Sequence, residues 1–241
     1  MMDDPTVVER VDGCCGELVL QRHDGHYEIV ANGVFLMDTR DGGSERRHVI
    51  AAADCMPPPG RMLIGGLGMG FSLAAALAHP GIGEVHVVER EPAVLRWNRG
   101  PLAPVNADAL GDPRVRTHEA DVVQWLANAP ACSLDAICLD VDNGPGWLVT
   151  PGNAWLYEKD GLRTAASVLS AGGVLSIWSS APSPGLVARM DELFTEVKVE
   201  EVFVERGEPD VIMLARAPRA SAGAGVQAAI GTKGWRQGLK G

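Results

Sequence analysis

Apolar and polar residues follow two different rhythms along this chain. Across GELVLQRHDGHYEIVANGVFLMDT, residues 16–39, they alternate about an Asp24-Gly25 pair suited to a tight turn. That pattern predicts a small β-unit of two or three short strands. SERRHVIAAADCM, residues 44–56, has helical spacing and ends at Pro57, Pro58 and Pro59, a stop and a linker. From residue 61 the rhythm changes to apolar runs alternating with amphipathic stretches. RMLIGG, EVHVVER, VRTHEAD, LDAICLDVD and VLSIWSS read as strands. Between them GFSLAAALAHP, EPAVLRWNRG, VVQWLANA and NAWLYEKDGLRTAASVLSAGG read as helices, the last as one or two. Alternation of this kind calls for a parallel sheet with helices on both faces. The ending differs. After the helix GLVARMDELF, the runs KVEEVFVER and DVIMLARA are joined by a short Gly-Glu-Pro turn, too short for a crossover, so this pair is expected to be antiparallel.

These elements divide the chain into an N-terminal β-hairpin unit and helix (1–56), a nucleotide-binding α/β domain (61–216) and a tail (217–241). The tail is rich in glycine and alanine, and its charges, Arg219, Lys233, Arg236 and Lys240, are all basic. It has too little apolar surface to offset the entropy of ordering, so it is expected to be a mobile extension. The net charge of -10 disfavours nucleic acid as a partner. No apolar run approaches the roughly 20 residues of a membrane helix, and the acidic N-terminus does not resemble a secretory leader, so a cytoplasmic protein is expected. The 5 cysteines lack zinc-ligand spacing, and no metal site is expected.

The chemistry concentrates at strand ends. In MLIGGLGMG, residues 62–70, Gly66, Gly68 and Gly70 form GxGxG between the first parallel strand and its helix. Ligands of open α/β sheets sit outside such strand ends, where strand order reverses. A dinucleotide fingerprint requires a further glycine where this chain has Phe71, and a phosphate-binding loop requires Lys-Ser/Thr, so both cofactor classes drop in rank. Glu89 ends the second strand and can accept hydrogen bonds from both hydroxyls of a ribose. Asp121 follows the third strand, where it could accept from an adenine amino group or cap the next helix. Asp140 ends the fourth. Together they describe an adenosine pocket without phosphates.

On these residues, GGLGMG, Glu89, Asp121 and LDVDNGP, with NAWLYEKDGLRTAASVLSAGGVL after them, the chain resembles the spermidine synthase branch of the class I S-adenosylmethionine-dependent methyltransferase fold over residues 16–216. The resemblance implies a Rossmann-like, seven-stranded, mostly parallel sheet with its last strand antiparallel, preceded by a β-rich unit. It implies that Gly65, Gly66, Gly68 and Gly70 lie against the donor's amino-acid part. It also places Glu89 on the ribose, Asp121 on the adenine, and Asp140 at the sulfonium and the incoming nucleophile. Dimers are implied too. The departures are specific: GGLGMG stands for GGGDGG, with Leu67 or Met69 in place of the acid. Leu36 replaces a glutamine, His48 a tyrosine, and DVDNGP the family's DSSDP.

A sulfonium makes each attached carbon electrophilic, so the protein need only hold a nucleophile in line and exclude water. An amine nucleophile must lose a proton, which Asp140 could accept. Asp142, Trp147, Tyr157 and His48 are candidates for the acceptor pocket, with Asp142 equally readable as part of a turn, the aromatics as core, and His48 as a helix-surface residue. Because the loop acid is missing, the leading expectation is methyl transfer from intact S-adenosylmethionine to a small-molecule or peptide acceptor. The alternatives are aminopropyl transfer from decarboxylated S-adenosylmethionine and a non-transfer protein that binds or cyclises the donor.

Overall fold

The computed structural model of the chain describes residues 4–204 and 207–220. Four strands, β1 (Thr6–Gly13), β2 (Gly16–His23), β3 (His26–Ala31) and β4 (Val34–Asp38), form an antiparallel meander in that order. At the predicted hairpin turn Asp24 and Gly25 both have positive φ, 50° and 82°, as a type I′ turn requires. Strand β1 was not among the predicted elements. Its residues are exposed or only half-buried, so no buried face leaves an alternation to read.

Helix α1 (Gly43–Ala53) leads into a seven-stranded sheet built from β5 (Gly60–Gly65), β6 (Ile82–Glu89), β7 (Val115–Glu119), β8 (Leu134–Leu139), β9 (Leu169–Ser179), β10 (Phe194–Val202) and β11 (Asp210–Pro218). The order is β10-β11-β9-β8-β5-β6-β7, with β5 to β9 parallel and β11 antiparallel to both neighbours. This is the expected architecture. Two boundaries move: β9 begins at Leu169, inside the segment read as helix, and β11 runs on through Pro218. Residues 221–241, most of the expected tail, lie outside the described residues.

The core follows the period of two in each strand. Met62 and Ile64 of β5 pack on one face with α1, α2 (Phe71–Ala78) and α3 (Pro92–Arg99), where Leu18, Leu20 and Ile29 of the N-terminal sheet join them. Leu63 points the other way, with Ile137 and Leu139, against α4 (Val122–Asn128), α6 (Lys159–Val168) and α7 (Pro184–Leu193), the short α5 (Ala154–Tyr157) preceding α6. Each such fully buried aliphatic side chain contributes about 1.5–3 kcal/mol. The meander is also tied on by polar contacts: Glu9 accepts from Arg96 Nη2 at 2.8 Å and from Trp97 Nε1 at 2.6 Å. Strand order reverses between β5 and β8, which brings the loops after Gly65 and Leu139 side by side. No helix among the described residues is long and apolar enough to cross a membrane.

Candidate active site

A cavity opens at the reversal point, roofed by the N-terminal sheet. Its empty volume, open mouth included, is about 1180 Å³. Leu18, Ile29, Ala31, Leu36 and Met37 supply the apolar roof, while Gly66, Gly68, Glu89, Asp121, Asp140 and Asp142 line the sheet side.

Gly66 lets the two central loops meet. Its φ is +88°, and a Cβ there would lie 2.1 Å from the Asp140 carbonyl oxygen. Gly68 lies under Met37, whose Sδ would be 2.7 Å from a Cβ. Gly65 and Gly70 do not line the cavity, contrary to expectation. Gly65 abuts Leu139 and Val122, and Gly70, at φ +84°, abuts Asn98 and Asn106, so both serve packing. Leu67 and Met69 are buried in the core. Their side chains therefore do not meet a donor, and the missing loop acid carries no information about the donor's carboxylate.

Two asparagines that sequence reasoning missed hold this loop. Asn98 Nδ2 donates to the Gly68 carbonyl at 2.9 Å, and Asn106 Nδ2 to Met69 O at 3.2 Å and to Asn98 Oδ1 at 2.6 Å. An asparagine beside Val94 and Leu95 on the apolar side of α3 was the available signal.

Glu89 is buried at the end of β6. Its Oε2 accepts from Leu67 N at 2.9 Å and its Oε1 from Glu91 N at 2.8 Å. Burial pushes its pKa up, and these backbone bonds oppose the shift. Each oxygen keeps a lone pair for a ligand hydroxyl. Asp121 does cap α4: Oδ1 accepts from Val123 N at 2.9 Å and Gln124 N at 3.2 Å, while Oδ2 is 4.0 Å from Arg90 Nη1.

Asp140 sits at the floor, and its carboxylate accepts no hydrogen bond from the described residues. Burial, followed by the charges of Glu45, Asp210 and Asp142, holds its pKa well above the usual carboxylate range. Glu45 and Asp210 are themselves pushed up, in each case mainly by burial. Ser44 links them, donating to Asp210 Oδ2 at 2.6 Å and Glu45 Oε2 at 3.1 Å, and accepting from Trp178 Nε1 at 3.1 Å. Trp178 lines the cavity at the end of β9. The strand-end rule that found Glu89 would have found it.

The expected acceptor residues are redistributed. Asp142 faces the cavity but accepts from Val149 N (2.7 Å), Asn153 Nδ2 (3.0 Å) and Tyr157 OH (2.9 Å), so it organises the 142–153 loop. Tyr157 is buried behind it and lines no pocket. Trp147 is 60% exposed and also lies off the cavity. His48 is neither a surface residue nor a base: it is fully buried against β9, with Nδ1 2.8 Å from Ser176 Oγ. Burial holds its pKa down to about 3.

Sheet order, roof and cavity position define a Rossmann-like nucleoside-binding fold with an N-terminal β-lid. Within that class the similarities are to the spermidine synthases. No protein-family model matches the chain. It is 28% identical over 181 residues to a polyamine aminopropyltransferase of Mycobacterium tuberculosis, covering 74% of this chain and 34% of that protein. It is 30% identical over 149 residues to spermidine synthase 2 of Datura stramonium, covering 61% of this chain and 45% of that protein. The chain thus spans less than half the length of these curated relatives. The spermidine synthase structure from Thermotoga maritima superposes with a TM-score of 0.72 at 17% identity, over 88% of this chain and 72% of that one. These relatives overturn the expectation of a methyltransferase using intact S-adenosylmethionine, since they are named for aminopropyl transfer.

Proposed function

We propose that this chain transfers an aminopropyl group from decarboxylated S-adenosylmethionine to an amine acceptor. The observation that carries the reading is the charge of the cavity. Glu17, Glu89, Glu91, Asp121, Asp140 and Asp142 line it, and Arg90 is the one cationic side chain among its lining residues. Arg90 stands beside Asp121, at the end read as adenine-binding, away from the Asp140 floor. The decarboxylated donor carries a sulfonium and an ammonium, whereas the intact donor adds a carboxylate. Bringing that carboxylate to about 6 Å from one ionised acid, at an effective dielectric constant near 20, costs about 3 kcal/mol. The relatives' names support the same choice.

In this reading Glu89 and Asp121 hold the nucleoside, the Gly66 and Gly68 backbone admits the sulfonium chain, and the floor receives the acceptor. The acceptor nitrogen attacks the donor carbon, the carbon–sulfur bond breaks, methylthioadenosine leaves, and the nitrogen's proton passes to Asp140. A carboxylate with a raised pKa suits that task, because a base is most effective when its pKa lies near the working pH.

Calorimetric titration with both donors tests the proposal, together with detection of methylthioadenosine in the presence and absence of a diamine. The expected result is a preference of roughly a hundredfold for the decarboxylated donor, and product formation that requires the amine. Equal or tighter binding of the intact donor would refute it.

A further inference from the structure

The turn between β1 and β2 places two adjacent cysteines at the cavity mouth. Cys14 and Cys15 are both exposed, and Cys15 is the one that lines the cavity. The turn is clamped. Cys14 N donates to Glu91 Oε1 at 3.1 Å and Oε2 at 2.9 Å, and Cys14 Sγ donates to the Arg90 carbonyl at 3.3 Å. Cys15 Sγ lies 3.7 Å from Thr150 Oγ1, which accepts from Arg90 Nη1 at 2.9 Å. The Cys15 sulfur therefore stands where the meander, the start of α3 and the 142–153 loop converge on the opening.

The thiolate is the reactive form of cysteine, and the other cysteines are poorly placed. Burial and the Glu91 charge push Cys14 up, and burial pushes Cys138 up much further. Cys55 and Cys132 do not line the cavity. Nor is Cys14 set to displace a group from Cys15. Neighbouring Cα atoms are about 3.8 Å apart across a trans peptide, short of the roughly 4.4–6.8 Å of an ordinary disulfide, and the Cys14 sulfur is engaged with Arg90. An adduct on Cys15 therefore persists until an external thiol removes it.

We infer that Cys15 is a covalent modification site for low-mass disulfides bearing amines, and that the adduct occupies the cavity. The inference rests on the cavity's lining and charge, not on the identity of the donor. The six lining carboxylates concentrate cationic reagents at the mouth and repel anionic ones. The Cys15 sulfur attacks one sulfur of the reagent, that disulfide bond breaks as the new one forms, and the released thiolate takes the proton that Cys15 gave up. No further oxidant is needed.

The test compares cystamine (cationic), hydroxyethyl disulfide (neutral) and dithiodiglycolate (anionic) by peptide-level mass spectrometry, with exposed Cys132 as the internal reference. Relative to Cys132, Cys15 is expected to react roughly tenfold or more faster with cystamine than with the neutral reagent, and slowest with the anion. Methylthioadenosine is expected to protect Cys15 and not Cys132. Cystamine-treated wild type should lose methylthioadenosine binding by tenfold or more, in the approximate range of a blocked site, and regain it with dithiothreitol. Cystamine-treated Cys15→Ser should bind as untreated Cys15→Ser does. Equal relative rates for the three reagents, or unchanged nucleoside binding by the Cys15 adduct, would overturn the inference. If methylthioadenosine fails to bind even the unmodified protein, the donor reading fails instead, and the rate comparison still decides this one.

Discussion

Replacing Asp140 with asparagine separates two effects of one carboxylate that have opposite signs. The substitution keeps shape and removes charge. In the empty protein Asp140 is an acid without a hydrogen-bond partner among the described residues, pressed by Glu45, Asp210 and Asp142. A buried polar group left unpaired costs about 1–3 kcal/mol, more when charged, so Asp140→Asn should stabilise the empty protein by about 1 kcal/mol at pH 8. For a chain of this size that raises the melting temperature by about 2–4 °C. The sign with pH follows from linkage. Because the folded-state pKa is raised, the wild type binds the proton more readily than the unfolded chain does. It loses stability as pH climbs from the ordinary carboxylate value through the raised one. The gain from asparagine should therefore vanish near pH 4. Binding moves the other way. A sulfonium about 5 Å from an ionised Asp140 at a dielectric constant near 20 gains about 3 kcal/mol, so affinity for the decarboxylated donor should fall by roughly a hundredfold or more. Methylthioadenosine, whose sulfur is neutral, is the control and should bind the variant about as well as wild type. Thermal unfolding at the two pH values and calorimetry with both ligands make the measurement. A variant destabilised at pH 8, or one that weakens both ligands equally, would show that Asp140 does not face the reacting sulfur.

Glu89→Gln should place an amide N–H against either Leu67 N or Glu91 N, costing about 1.5–3 kcal/mol of stability and weakening methylthioadenosine as well as the donor; an unchanged denaturant midpoint with unchanged nucleoside affinity would exclude it from the ribose. Tyr157→Phe removes one of three donors from Asp142 and should raise KM for the donor several-fold with little change in kcat, at about 1–2 kcal/mol of stability; a fall in kcat alone would place Tyr157 in the chemistry. His48, held near 3 in the folded state against 6.5 in its ordinary state, contributes stability above pH 6.5 that is lost as pH falls toward 3. The wild-type slope from this group should approach about 1.4 kcal/mol per pH unit in that window, and His48→Gln should flatten it in chemical denaturation series.

Strand count, order and the antiparallel ending were legible because each parallel strand is an apolar run and each crossover an amphipathic stretch. β8 shows the rule at full strength, since all six of its residues are buried. β1 was not legible because its neighbours in the meander leave it almost wholly exposed. The start of β9 was missed for a different reason. LSAGGV reads as the end of a helix until Leu134 pairs with Leu169 across a register shift, and that pairing is a tertiary fact. His48 failed in the same way. Seen along α1 it is one polar residue among Arg46, Arg47 and small apolar residues, and only the approach of β9 turns it inward to Ser176.

The site shows what residue-by-residue comparison can and cannot carry. Glu89, Asp121 and Asp140 were found because a strand end is a local property, and three strand ends at one sheet edge must converge once the sheet is parallel. The donor was misjudged because Leu67 and Met69 were read as if a loop position kept its outlook when its residue changed. In this fold both turn into the core, and the question of which sulfonium is accepted passes from a single loop acid to the summed charge of the cavity. That sum draws on β2 for Glu17, the end of β6 and the start of α3 for Glu89 and Glu91, the cap of α4 for Asp121 and the loop after β8 for Asp140 and Asp142. No stretch of sequence contains it. It exists only when the meander closes over the switch point, which is also what brings Cys15 to the rim. Charge selectivity at this site is therefore a property of the docked lid. Loosening the lid by Glu9→Gln, which weakens its bonds to Arg96 and Trp97, should reduce discrimination between the two donors more than it reduces affinity for methylthioadenosine. Competition calorimetry reads both quantities on one protein, and equal losses in the two would return selectivity to the sheet side alone.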